Sequence, residues 1–177
     1  SRVETIRKRV EDLIRRSEDL IRRLEEDVKR VVDEIRKLLE KLKEDDERVI
    51  RRIEDLLRKE RSEEVEREIE ELSKKSLDDA RRVLEEIEKL ARTITKEVER
   101  VLEENDRLIR KIEDEVRKIN VDERVVEEIK ERLDRSRRRT EEALERIRKR
   151  LEEVKKEVED VLREVEKTNR EIKKEVR

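Results

Sequence analysis

The sequence predicts an all-α fold: a single-chain antiparallel bundle of three long, nearly straight helices. Three observations carry this. Core-type residues recur every 18 positions in three successive runs. The phase of that recurrence is lost at only two places, each a few residues long. Gly and Pro, the strongest local breakers of a helix, are absent from all 177 residues. Eighteen residues are about five turns of an α-helix, so each series returns to one angle on a straight cylinder. A sustained seven-residue repeat would impose a left-handed supercoil, and here it fails at Asp27 and Asp45, so little supercoiling is expected.

The first helix is predicted over residues 2–59. Ser1 followed by Glu4 matches a capping box. Val3, Ile21, Leu39 and Leu57 form one series, and Ile6, Leu24 and Leu42 another. Five more series complete an apolar arc of about 120°. The run Lys43 to Glu47 has the composition of a loop. Val49, Ile50 and Ile53 nevertheless keep the angles of Val31, Val32 and Ile35, so the helix is predicted to continue through it.

Phase is lost between Leu57 and Val65, where Ser62 can cap the next helix. The second helix, residues 63–119, carries the clearest series: Val65, Val83, Val101 and Ile119, with Ile69, Ile87 and Asn105 beside them. After it, Asn120 suits a left-handed C-terminal residue and Asp122 an N-cap. The third helix, residues 123–177, repeats the spacing in Val125, Ala143 and Val161 and in Ile129, Ile147 and Val165. Basic residues gather at helix ends (Arg58 and Lys59; Arg117 and Lys118; Lys173, Lys174 and Arg177), which suits the helix dipole. Loops this short force antiparallel neighbours. The whole of 1–177 therefore reads as one bundle domain. Its apolar arcs are fully used by packing on each other, so a monomer is expected.

Composition excludes more functions than it suggests. Charged residues are 61% of the chain, against an average of about 25%. Fifty-three basic and 55 acidic residues are interleaved, for a net charge of −2. No strong field steers a nucleic acid or an acidic partner. Arg135, Arg137, Arg138 and Arg139 are the densest basic cluster, but on a helix they spread around the circumference, and no aromatic residue is present to stack on bases. His and Cys are absent, which removes the usual base of a nucleophilic triad and any thiol nucleophile. Without Gly there is no phosphate-cradling loop. No apolar run approaches the length of a membrane span or a signal-peptide core, and localisation is left open. The reading is a non-enzyme with no catalytic residues, no cofactor, no metal, no nucleic-acid or membrane partner, and no other partner.

Eight polar residues occupy core angles: Ser17, Asp46, Ser73, Ser76, Asn105, Ser136, Thr140 and Asn169. Folding the chain at its turns sets residue j of the second helix opposite 122 − j of the first. Asn105 then meets Ser17, and Ser76 meets Asp46. Residue k of the third helix falls near height k − 119 or k − 120, which brings Ser136 to Ser17 and Asn169 to Ser73. Two polar layers are predicted: Ser17, Asn105, Ser136 and Thr140, and Asp46, Ser73, Ser76 and Asn169, with Thr168 alongside. Buried hydrogen-bond networks that fix register are the structural reading, because a slipped register strands these groups. A ligand or metal site inside the bundle is the functional one. Carboxylate metal sites in bundles use several Glu with a Glu-x-x-His, and this chain has no His.

With its 18-residue period, its Glu/Lys/Arg surface and its lack of Gly, Pro, His and aromatics, the whole chain resembles de novo designed, parametrically generated untwisted three-helix bundles. It also resembles designs with discrete polar core layers. Designed loops commonly use Gly or Pro, and these two do not. The resemblance implies a highly stable scaffold with no natural substrate. A designed binder or switch scaffold is a second reading. It should expose apolar residues outside the three arcs, and only Leu77 and Val121 are marginal. A natural spacer resembling spectrin-type repeats is a third, although those helices are shorter and their cores carry aromatics.

Overall fold

The computed structural model describes residues 2–176, apart from the side chain of Val176. Ser1 and Arg177 lie outside the described residues, and with them the Ser1–Glu4 capping box and the terminal Arg177 charge. Three helices follow one another: α1 (Arg2–Leu57), α2 (Glu63–Lys118) and α3 (Glu123–Val176). No strand occurs among the described residues, and the fold is an all-α three-helix bundle. No helix among them is long and apolar enough to cross a membrane. The helix α1 passes unbroken through Lys43 to Glu47, as the phase of its apolar residues requires.

The chain divides into two compact units, each built from part of all three helices. The first unit holds Ser1–Arg30 with Arg92–Arg150, and the second holds Val31–Ala91 with Leu151–Arg177. In the first unit, Ile6 and Val10 of α1 pack with Ile112 of α2 and with Val125, Ile129 and Leu133 of α3. In the second, Ile53 and Leu56 pack with Ile69, and Ile172 closes over them. Every described member of the series named above is buried or half-buried. Leu24 is fully buried, which stabilises the fold by about 1.5–3 kcal/mol relative to an exposed leucine. No large hydrophobic side chain among the described residues is exposed.

Ion pairs show the helix directions. In the first unit, Arg7 pairs with Glu128, Glu11 with Arg132, Glu18 with Arg139 and Glu25 with Arg146, each across 121 residues. A constant separation means that α1 and α3 run parallel there. The second unit holds one pair of the same separation, Arg36 with Glu157. Between α1 and α2 the partner numbers run in opposite senses. In the first unit Arg9 meets Glu115 and Ser17 meets Asn105; in the second Asp46 meets Ser76 and Arg52 meets Glu68.

The turns differ in detail from expectation. Helix α1 ends at Leu57, so Arg58 and Lys59 lie past its last residue rather than in its last turn. There the Lys59 N–H donates to the Leu56 carbonyl at 3.2 Å, a tighter bond than an α-helix makes. Ser62 caps α2: its hydroxyl accepts from the Val65 N–H at 3.3 Å and its carbonyl from the Glu66 N–H at 3.1 Å. Asn120 is not left-handed, because no described residue has a positive φ. The Val121 N–H instead donates to the Ile119 carbonyl at 3.0 Å, closing a three-residue turn around Asn120. The Asp122 carbonyl then accepts from Val125 and Val126 to start α3. Such turns work on ordinary backbone angles, which is how both connections manage without Gly.

The two connections differ in exposure. Residues 58–64 are all exposed, and three of them are Arg58, Lys59 and Arg61. In the second connection Ile119 and Val121 are half-buried against the first-unit core. A protease needs several residues of extended backbone, which helices deny it. Trypsin should therefore make its first internal cut after Arg58, Lys59 or Arg61, as read by mass spectrometry of an early digest. A first internal cut after Lys118 or Arg124 would contradict this account.

Candidate functional site

The candidate site is the set of buried polar side chains. Each sits at a core angle of its helix, where packing on the other two helices removes it from water. In the first unit Ser17, Asn105, Ser136 and Thr140 are all buried. The Ser17 hydroxyl donates to Asn105 Oδ1, which joins α1 to α2. Thr140 turns back along its own helix, and its Oγ1 donates to the Ser136 carbonyl at 3.0 Å. Ser136 is 2% exposed and its Oγ has no partner. An orphaned buried hydroxyl costs about 1–3 kcal/mol. The four residues share a region of the core, but Ser136 does not complete a hydrogen-bonded ring with Ser17 and Asn105.

The second unit resolves into two separate pairs. The Ser73 hydroxyl donates to Asn169 Oδ1 at 2.6 Å, joining α2 to α3. Asn169 Nδ2 donates to the Val165 carbonyl at 3.0 Å, which satisfies the other end of the amide. The Ser76 hydroxyl donates to Asp46 Oδ1 at 3.2 Å, joining α2 to α1. Asp46 departs from expectation in being only half-buried, at the margin of the core. The reason is the cost of an ionised carboxylate in a dry interior. Partial burial holds the Asp46 carboxyl above its ordinary value of 3.8, the Ser76 hydroxyl opposes this, and Glu164 and Glu47 add to it. Thr168 is half-buried as well.

One titratable pair was not visible in the sequence. Glu97 of α2 hydrogen-bonds Asp27 of α1. That bond, then burial and the Asp27 charge, push the Glu97 carboxyl above its ordinary 4.5 against the pull of Arg100 and Arg30. Neither residue lies at a core angle. The only signal was their near-opposition when the chain is folded at its first turn. The Glu11 carboxyl shifts the other way, lowered by the hydrogen bond and charge of Arg132.

Among the described residues no group of three or more His, Cys, Asp or Glu could hold a metal ion. Depressions along the helix seams are open grooves. One of about 480 Å³ reaches Asn105 and Thr140 and is otherwise bordered by side chains such as Ile109, Leu144, Asp106 and Arg137.

No family model and no curated protein matches the chain. A solved structure described as a computationally designed three-helix bundle is similar to it, with a TM-score of 0.55 and 18% identity, over 98% of this chain and 80% of that one. This likeness is one of fold. The chain is a three-helix bundle. Seven of the eight polar residues named from the sequence are buried, and Asp46 is half-buried.

Each of the two raised carboxyls contributes a pH dependence of known sign, opposite to that of Glu11. A raised value means that the folded state holds the proton more tightly. The stability this contributes is present below the ordinary values of 3.8 and 4.5 and is lost as pH rises through the raised ones. The variant Asp46→Asn with Glu97→Gln keeps both hydrogen-bond geometries and escapes that loss. Its urea midpoint relative to the parent should be higher at pH 7 than at pH 4. An equal difference at both pH values would show that neither carboxyl is perturbed.

Proposed function

We propose that this chain is a structural scaffold of designed origin, a highly stable monomeric bundle whose buried polar pairs fix the register of its helices. The reading assigns it no catalytic role. The observation that carries it is the pairing of polar side chains across helices within an otherwise Val, Ile and Leu core. Ser17 bonds Asn105, Ser73 bonds Asn169 and Ser76 bonds Asp46. Each pair links two helices at one height, and a shift of one helix by a turn would part Ser17 from Asn105 and Ser73 from Asn169 in an apolar interior and leave the buried Ser76 without Asp46. The penalty for the wrong register, rather than the gain in the right one, is what gives such a pair its value. Designed origin is supported by the lack of Gly, Pro, His and aromatics and by the likeness in fold to a designed bundle. That no described large hydrophobic side chain is exposed supports a monomer, since no apolar face is left for an obligate partner.

Replacing Asn105 by Ala should strand the Ser17 hydroxyl and cost about 1–3 kcal/mol in urea unfolding. Replacing Ser17 by Ala, Asn105 by Leu and Ser136 by Ala together should keep or raise stability, because no unpaired group remains. If Asn105→Ala alone costs only a few tenths of a kcal/mol, the register role fails.

The scaffold reading also predicts a melting transition well above the roughly 45–65 °C of ordinary domains, and a single monomeric species in sedimentation equilibrium. A transition below about 70 °C, or a concentration-dependent dimer, would overturn that part of it.

A further inference from the structure

We infer that unlike charges on the two flanks of α1 select the direction in which the helices of the first unit wind. A three-helix bundle can wind two ways around the same core. Both ways bury the same apolar stripes. They differ in which flank of each stripe meets which neighbour, so the choice falls to the residues beside the stripe.

Within this unit α1 has one acidic flank and one basic flank. Glu11, Glu18 and Glu25 face α3 and pair with Arg132 at 2.7 Å, Arg139 at 2.9 Å and Arg146 at 2.7 Å. On the opposite flank Arg9 pairs with Glu115 of α2 at 3.1 Å. Arg16 and Arg23 border the α1–α2 groove with Glu104, and Lys111, Arg107 and Arg110 of α2 line it too, the two arginines about 150° from the centre of their stripe. The exceptions are Arg7, which pairs with Glu128, and Asp27, which meets Glu97. Asp12 and Asp19 also border this seam, but they lie about 140° or more from the centre of the stripe.

The other two helices carry mostly one sign beside both flanks; the exceptions are Lys111 of α2, which borders the α1 seam beside Glu115, and Glu128 and Glu141 of α3. Helix α2 offers Glu115 to α1 and Glu113 to α3, and Glu113 pairs with Arg137. Helix α3 offers Arg132, Arg139 and Arg146 to α1 and Arg137 to α2. In the observed winding each of the three seams holds ion pairs of opposite charge. In the reverse winding the α1 glutamates would face the Glu113 side of α2, and the α1 arginines would face the Arg137 and Lys130 side of α3. Two seams of three would then set like against like. In its interhelical ion pairs α1 differs most between its flanks, so α1 makes the choice. Exposed ion pairs contribute little individually, but here attraction is exchanged for repulsion along a whole seam.

The chain has no cysteine, so introduced pairs are unique. Arg7→Cys with Glu128→Cys reports the observed winding. Arg9→Cys with Lys130→Cys reports the reverse one. Linked by a short bis-maleimide at low salt and read by peptide mass spectrometry, the first pair should react at least tenfold more than the second. Exchanging the flanks with Glu11, Glu18 and Glu25→Arg and Arg16 and Arg23→Glu should lower that ratio at least tenfold. An unchanged ratio overturns the inference. If the exchanged chain loses its helical circular dichroism, a second variant decides. It combines Glu11, Glu18 and Glu25→Arg with Arg132, Arg139 and Arg146→Glu, which restores attraction across the seam. Recovery of helicity and of the first cross-link supports the inference, and failure to recover them overturns it.

Discussion

Burial of one Val, Ile and Leu stripe per helix is the constraint on which the other features depend. With so much of the sequence charged, apolar side chains are scarce, and nearly all must be spent on one face of each helix. A stripe of about a third of the circumference can be covered only by two other helices at once. Residues such as Leu24, Ile35 and Ile94, each almost fully buried, mark its centre. The stripe then defines what a polar group can do. At its centre, as at Ser17 and Asn105, a side chain must find a partner among its neighbours. At its margin, as at Asp46, it can remain partly in water and titrate.

Polar groups in this core divide by how completely they are satisfied. Ser73 and Asn169 are the most complete, with the amide bonded at both ends. Ser17 and Asn105 join two helices, while Ser136 on the third has no partner for its hydroxyl. Outside the core, two carboxyls are shifted upward and one downward. Burial sets the sign at Asp46 and neighbours set it at the other two: Glu97 meets a carboxylate, whereas Glu11 meets a guanidinium.

Much of the fold was legible in the sequence because a helix reports its own geometry in one dimension. Spacing gave the angle of each residue, and loss of phase gave the turns, so the continuation of α1 through Lys43 to Glu47 could be read despite its composition. Heights followed from folding the chain at the turns, which placed Asn105 opposite Ser17 and Ser76 opposite Asp46. Other features were hidden for definite reasons. Asn120 suggested a left-handed residue by its type, but the turn is closed by a bond between Ile119 and Val121 that no residue preference encodes. The lack of a partner for Ser136 depends on distances well below the precision of a helical height. Asp27 and Glu97 lie off the core angles that drew attention to the other polar residues.

The sequence by itself determined three helices, their boundaries to within about two residues, their buried faces and the heights of their polar residues. Those properties belong to one helix at a time, or to a chain reversed at a short turn. The tertiary structure alone decided which flank of each helix meets which neighbour, and so which charges pair, which hydroxyl is left over and which carboxyls are perturbed. The physical reason is that the apolar stripe is indifferent to left and right. Hydrophobic burial has no direction, and only contacts between side chains beside the stripe carry that information.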